Sequence, residues 1–321
     1  RKVLEDFVKR EGFIPDSGGS KPDVPLWLIW NIQQLTIYKR SKTTVWKESA
    51  ETIKAILNHY KNTKEGDSVV LHGNGLLWAE KKGTALSWMD AYVNGKPVTE
   101  REGYQVELNS LWYNAVSFAI ELARGSRDKA FVDEWEPVQK LIAKSFNKAF
   151  WIEQGDYLAD YVGHEGQNKC VRPNQLFTCS FPYSPITDVQ KSKVLKRIQQ
   201  ELLTERGIRT LSPQSPHYKG EYDGDEFSRN SAYHMGTARP WLLGFYIDAN
   251  LKLHGDSFIQ RAEDLISAFE EDVQIHCIGS VSEVYDGDPP HQPHGCTSYS
   301  ISVASLLWSM RLVLNHKNKK I

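Results

Sequence analysis

The stretch Leu108-Asn109-Ser110-Leu111-Trp112-Tyr113-Asn114-Ala115-Val116-Ser117-Phe118-Ala119-Ile120-Glu121-Leu122-Ala123-Arg124-Gly125 decides the fold class. Leu108, Leu111, Trp112, Ala115, Ala119, Ile120 and Ala123 recur at three- and four-residue steps, which places them on one helical face. Gly125 follows as a stop signal. A similar stripe, Ile301, Ala304, Ser305, Trp308 and Leu312, predicts a C-terminal helix before the basic stretch 317–320. Working outward, the pattern predicts further helices near 2–10, 25–39, 43–62, 128–149, 188–204, 231–253 and 256–271. Extended segments are expected only near 68–71 and 157–161. Gly-, Pro- and Asp-rich loops at 73–102, 163–185, 207–228 and 279–294 join helix to helix. Loops longer than about 12–15 residues are uncommon in compact domains and are often functional. No low-complexity linker divides the chain. The reading is one all-α domain over 1–321 whose long loops gather into a site.

Composition narrows the function classes. Lys and Arg number 39 against 40 Asp and Glu, so no basic excess exists to neutralise phosphates or anionic lipid. Nucleic-acid and membrane partners are therefore not expected. The strongest apolar run, Pro25-Leu26-Trp27-Leu28-Ile29-Trp30, is far short of the ~20 residues that a membrane helix needs. Ten Trp, 14 Tyr and 12 Phe suggest aromatic core anchors or surfaces that stack on flat ligands. Cys170, Cys179, Cys277 and Cys296 show no CxxC spacing, which fits a reducing compartment. Arg1-Lys2-Val3-Leu4 reads as the inside of a helix, so a longer parent protein is expected.

Several chemistries lack their signatures. Gly73-Asn74-Gly75 lacks the third glycine of a dinucleotide loop, and no Walker-type or Gly-x-Ser-x-Gly motif occurs. His291-x-x-His294-x-Cys296, with Asp286 and Asp288 before it, has no second matched pair of metal ligands. It reads as a loop that binds hydroxyls or backbone, and no metal is expected. Two carboxylates in separate loops are the better lead: Asp90 in Leu86-Ser87-Trp88-Met89-Asp90-Ala91, and Glu283 in Gly279-Ser280-Val281-Ser282-Glu283. Glycoside hydrolysis needs one carboxylic acid to protonate the leaving oxygen and a second carboxylate to attack the sugar or activate water. Trp88, Trp112, Tyr233 and Trp241 would serve as sugar-stacking walls, and an aromatic flank would raise the acid's pKa. The residues alone do not single out these two carboxylates from 40; solvated loop acids and helix caps remain open readings.

Read in order, the loop motifs resemble the C-terminal, amylo-α-1,6-glucosidase domain of glycogen debranching enzymes. Gly12-Phe13-Ile14-Pro15 and Pro25-Leu26-Trp27 open the series, and Ser87-Trp88-Met89-Asp90-Ala91 is similar to the family's Thr-Trp-Met-Asp-Ala. Glu107-Leu108-Asn109-Ser110-Leu111-Trp112-Tyr113-Asn114-Ala115, Arg172-Pro173-Asn174-Gln175-Leu176 and Gly207-Ile208-Arg209-Thr210-Leu211-Ser212-Pro213 follow. Tyr218-x-Gly220-x-Tyr222-x-Gly224, Ala232-Tyr233-His234-x-Gly236-Thr237 and Pro240-Trp241-Leu242-Leu243-Gly244 continue it. Ser282-Glu283 through Asp288-Pro289-Pro290-His291, with Gly295-Cys296, closes it. The resemblance implies an (α/α)6 toroid, incomplete at its N-terminal end, with Asp90 as general acid and Glu283 as general base. It implies inverting removal of α-1,6-linked glucose from a branched α-glucan such as glycogen, in the cytoplasm, with no cofactor. Substrate contacts are expected from Trp88, Glu107, Trp112, Arg229, Tyr233, His234, Trp241 and Asp286. Glu107 also suits a helix N-terminus on dipole grounds.

The pattern departs from the family in places. Asn230 replaces an Asp after Arg229, Met235 a Gln after His234, and Ala238-Arg239 a Val-Trp. Tyr299-Ser300-Ile301-Ser302-Val303-Ala304-Ser305 stands where Gln-Ala-Trp-Ser-Val-Ala-Glu is usual. The family's Trp-Gly-Arg-Asp segment does not occur, and about nine helices are legible where its ring has twelve. The changes touch pocket walls more than Asp90 and Glu283. Two alternatives follow: another inverting exo-glycosidase on the same toroid with a different linkage preference, or a non-catalytic glucan-binding relative.

Overall fold

A computed structural model describes residues 21–39, 41–276 and 278–318. The helix expected at 2–10, the Gly12-Phe13-Ile14-Pro15 motif, Cys277, Lys319 and Lys320 lie outside the described residues. The helices are α1 (Val24–Lys39), α2 (Lys42–Lys61), α3 (Val106–Gly125), α4 (Lys129–Phe150), α5 (Leu176–Ser180) and α6 (Asp188–Glu201). Then come α7 (Glu226–Ala232), α8 (Leu243–His254), α9 (Ile259–Ser267), α10 (Glu270–Ile275) and α11 (Ser300–Asn318). Their starts follow from side-chain caps. Ser41 accepts from Thr44 N–H at 3.2 Å, Asp128 from Phe131 N–H at 3.3 Å, and Asp225 from Ser228 N–H at 2.8 Å. Thr187 and Gln190 form a reciprocal capping box at the start of α6.

α3 is the packing centre, in contact with α1, α2 and α4. Its apolar stripe is buried throughout, and Trp112 is fully buried among Tyr60 and Trp135 with its indole N–H donated to the Gly75 carbonyl at 3.1 Å. The buried apolar side chains form one cluster running from Leu26 to Val313. Among the described residues no helix is long and apolar enough to cross a membrane.

The all-α expectation needs correction: five small antiparallel sheets lie in the inter-helix loops among the described residues. Most of their strands have two or three residues, too few for an alternating pattern to register in the sequence. One hairpin was missed although its turn announces it. Tyr92–Val93 and Lys96–Pro97 flank Asn94-Gly95, both with positive φ, the favoured residues of a tight hairpin turn. The helix expected over 231–253 is broken. Gly236 has φ +152°, and a Cβ there would lie 2.5 Å from the Lys219 carbonyl oxygen. Ala238–Arg239 is a strand, and Pro240 starts a 3-10 turn before α8.

α11 also differs from its predicted face. It buries Ser302, Ser305, Ser309 and Val313, while Ile301 is 51% exposed. The cause is close approach to α8: a Cβ on Gly244 would meet the Ser305 hydroxyl and the Trp308 ring at 2.7 Å. Ser305 donates to the Trp241 carbonyl at 2.8 Å and accepts from Gly244 N–H at 3.0 Å. Ser305 fits that close approach, and Trp308 packs beside it against Phe245 and Trp30.

α1 carries a buried acid just ahead of its first turn. Asp23 accepts from the Trp27 indole at 3.2 Å, and burial, then the Glu107 charge, pushes its pKa up to about 6. The folded state therefore binds this proton more tightly than the unfolded chain. Stability contributed at low pH is lost as pH rises from about 4 through 6, by about 3 kcal/mol at most. Asp23→Asn is expected to flatten that slope, so urea unfolding at about pH 4 and pH 7 should differ less in the variant. An unchanged slope would show that Asp23 does not titrate there.

Candidate functional site

A cavity of about 850 Å³ opens between α1, the loop carrying Trp88 and Asp90, the 233–241 segment and α11. Trp30, Trp88, Trp241, Phe245 and Trp308 supply its aromatic walls. Lys21, Asp90, Tyr233, His234, Arg239 and Tyr299 supply its polar face. Flat apolar walls with a few convergent polar groups suit a ligand that stacks and hydrogen-bonds, as a sugar ring does.

The Trp88–Asp90 loop rests on a buried charge network. The Trp88 indole N–H donates to Asn174 Oδ1 at 2.7 Å, and Asn174 donates to Asp160 Oδ1 at 2.7 Å. Arg101 binds Asp160 through Nε at 2.7 Å, Glu107 Oε2 through Nη2 at 2.7 Å, and the Ser87 hydroxyl at 3.2 Å. Burial disfavours the guanidinium charge, but Asp160 and Glu107 outweigh it and hold Arg101 firmly protonated. Thr99 donates to the Met89 carbonyl at 2.9 Å. With the Val98 N–H donating to the Ala91 carbonyl at 2.9 Å, the loop is fixed on both sides of Asp90.

Asp90 meets two partners. The Lys21 ammonium is paired with Oδ2, and His234 Nε2 lies 3.6 Å from Oδ1. The Asp90 N–H also donates to His234 Nε2 at 3.2 Å. Burial alone would raise the Asp90 pKa; because His234 Nε2 accepts from the residue's own N–H, the Lys21 ammonium is the contact that holds the carboxyl well below the usual carboxylate range. Burial drives the His234 pKa down to about 3, so its ring is neutral and Nε2 accepts. Asp90 and Lys21 are 43% and 32% exposed, so their pair is screened and worth at most about 1 kcal/mol.

Glu283 stands behind Tyr233 and Arg239. The Tyr233 hydroxyl donates to Oε1, and the Cys296 N–H donates to Oε2 at 3.0 Å. Arg239 Nη1 lies 4.0 Å from Oε1, and its guanidinium stacks on the Tyr233 ring at 3.6 Å. Burial, with the hydrogen bond to Glu283, pushes the Tyr233 pKa up to about 12, so the phenol remains a donor. Gly295 is required here: its φ is +70°, and a Cβ would sit 2.8 Å from Glu283 Oε2. Tyr299 feels both carboxylates. Burial, then Glu283, with Asp90 adding, raises its pKa.

Of the expected site residues, Trp88, Asp90, Tyr233, His234 and Trp241 line this cavity, and Glu283 is bonded to its wall. Trp112 belongs to the packed core, because the stripe that places it on α3 faces inward. Glu107 is the buried counter-ion of Arg101, 1% exposed, beneath the Asp90 loop. Arg229 donates to the Gly224 carbonyl within its own turn. Asp286 accepts from the Tyr222 N–H at 2.7 Å and lies 3.1 Å from His294 Nε2, so it ties two loops together. Asp288 accepts from the Tyr218 hydroxyl at 2.8 Å. Among the described residues no three His, Cys, Asp or Glu side chains converge as metal ligands. Lys21, Trp30 and Trp308 were not anticipated as wall residues, whereas Tyr299 and Arg239 fall among the departures expected to touch the pocket walls. Only the excess of tryptophan hinted at Trp30 and Trp308.

A model of the amylo-alpha-1,6-glucosidase family matches residues 1–308. The glycogen debranching enzyme of Saccharomyces cerevisiae is 26% identical in an alignment of 241 residues. That alignment covers 60% of this chain and 15% of that protein, so this chain spans a small part of its relative. Among solved structures, a GH78 family rhamnosidase of Bacillus sp. GL1 superposes with a TM-score of 0.59 at 11% identity, covering 91% of this chain and 26% of that one. Neutral trehalase from Saccharomyces cerevisiae gives a TM-score of 0.50 at 13% identity, covering 65% and 38%. At these identities the structural likeness concerns the fold alone.

Proposed function

The chain belongs to the amylo-alpha-1,6-glucosidase family and is a glycoside hydrolase, and from that premise we propose that it removes α-1,6-linked glucose from branch stubs of glycogen or a related α-glucan with inversion. Residues 1–321 act as one catalytic unit of an (α/α)6 toroid within a longer debranching protein. Its place is the cytoplasm, where glycogen is the intracellular substrate. Asp90 is the general acid: it protonates the glycosidic oxygen as the bond to C1 breaks. Glu283 is the general base: it takes a proton from a water that attacks C1 from the opposite face, giving β-glucose. Tyr233 and the Cys296 N–H hold Glu283 as an aimed carboxylate. Trp88 and Trp241, edge to face at 5.1 Å, and His234 shape the wall where the sugar stacks.

One observation carries this reading: Asp90 lines an aromatic cavity, and Glu283, far away in sequence, is bonded to Tyr233 in the wall of that same cavity. Time-resolved proton NMR of the protein with phosphorylase-limited glycogen tests it. The β-anomer of glucose should appear first and mutarotate afterwards. Early α-glucose would overturn inversion. Glucose released from other disaccharides but not from limit glycogen would favour an inverting exo-glycosidase of different linkage.

A further inference from the structure

A general acid must carry a proton when substrate is bound, yet Asp90 is held here as a carboxylate. The counter-charge comes from Lys21, whose backbone is pinned just ahead of α1. The Lys21 carbonyl accepts from Val24 N–H at 3.1 Å, and the Tyr60 hydroxyl donates to the Pro22 carbonyl. From this fixed turn the Lys21 side chain reaches across the cavity to Asp90 and lines it. The other groups facing Asp90 are His234 from the segment after α7 and Tyr299 from the segment before α11, with Arg239 beside His234. His234 is neutral and Tyr299 is a phenol, so Lys21 is the cation in direct contact with the carboxylate.

We propose that Lys21 is a positioning residue: its ammonium occupies Asp90 in the free protein, and a neutral sugar hydroxyl must displace it before Asp90 can act as an acid. The inference rests on the reading of Asp90 as the general acid. A glucan brings no charge to replace the ammonium. Once Lys21 is displaced, the carboxylate sits against aromatic walls without a counter-ion, and it takes up a proton from solvent. Substrate binding thereby arms the acid, and water alone in the cavity leaves it unarmed. The pair is half-exposed, so displacement costs little and the device is reversible.

The test compares two pH profiles, because kcat/KM reports ionisations of the free enzyme and kcat those of the substrate complex. In the unmodified protein the alkaline limb of kcat/KM should lie at lower pH than the limb of kcat. In Lys21→Met the kcat/KM limb should move up by roughly half a unit, toward an unchanged kcat limb, and KM should fall. Lys21→Arg should restore the original separation, and unaltered thermal midpoints would exclude a folding effect. If Lys21→Met leaves both limbs in place while Asp90→Asn is inactive, the Lys21 proposal is overturned and the acid assignment stands. If Asp90→Asn hydrolyses limit glycogen at the normal rate, the acid assignment fails, and the Lys21 proposal fails with it.

Discussion

Asp90→Asn is expected to lower kcat for glucose release from limit glycogen about a thousandfold, the scale typical of removing a general acid. The substitution is nearly isosteric, and the bond from the residue 90 N–H to His234 Nε2 does not depend on the side chain. The loop is fixed by Thr99, Ser87 and Asn174 independently of the carboxyl group, so the fold should persist. The defect should therefore be chemical, and its signature depends on the leaving group. An α-glucoside whose leaving group is an acidic phenol needs no proton, so Asp90→Asn should recover most of its rate on that substrate. Glu283→Gln should be equally slow on both substrates, because the water still lacks a base. A normal rate for Asp90→Asn on limit glycogen, measured as glucose released, would remove Asp90 from the mechanism. Equal losses on both substrates would assign it a binding role instead.

Long periodic elements were legible in the sequence for a physical reason. α3 and α4 each run about twenty residues, so many apolar positions vote for one face before any tertiary contact is considered. Most of the short strands carried too few positions to vote; those within 68–71 and 157–161 were read, and the Asn94-Gly95 hairpin was missed although its positive-φ residues announce the turn. The break at 233–241 was written in Gly236 and Pro240, and the surrounding apolar run concealed it. That break matters for the site, since it takes Tyr233, His234 and Arg239 out of a helix and turns them toward the cavity.

The candidate site divides in the same manner. Asp90, Glu283, Trp88, Tyr233, His234 and Trp241 were legible through their motifs. Trp112 was misplaced although its own helical stripe already gave the inward answer. The role of Glu107 depends on Arg101, six residues earlier across a turn, which no helical or strand period connects to it. The Lys21–Asp90 pair spans 69 residues and arises from where α1 starts relative to the Asp90 loop. Contacts of this kind are set by tertiary placement, so a single sequence carries no local signal for them.

Arg101→Met is expected to destabilise the protein by about 3–5 kcal/mol, the cost of removing one partner from a buried charge network. Arg101, Glu107 and Asp160 have side chains 3%, 1% and 1% exposed, so water cannot replace the lost guanidinium. Methionine has similar length and fills the space, so most of the loss comes from Glu107 left without a counter-charge and Asp160 left with Arg172 alone, at 3.7 Å. The sign of the pH dependence follows. Carboxylates buried without a counter-charge favour their protonated form in the folded state, so the variant loses stability as pH rises and regains part of it on acidification. Urea unfolding of both proteins at about pH 5 and pH 8 should show the larger gap at the higher pH. A deficit below about 1 kcal/mol at both would mean that the network is not held together by charge. The functional consequence runs through Ser87 and Asn174. With Arg101 gone, Ser87 loses a donor, and Asp160 no longer has its main counter-ion while it supports Asn174 under Trp88. Even where the variant remains folded, kcat should therefore fall, because the loop that aims Asp90 has lost the base on which it is set.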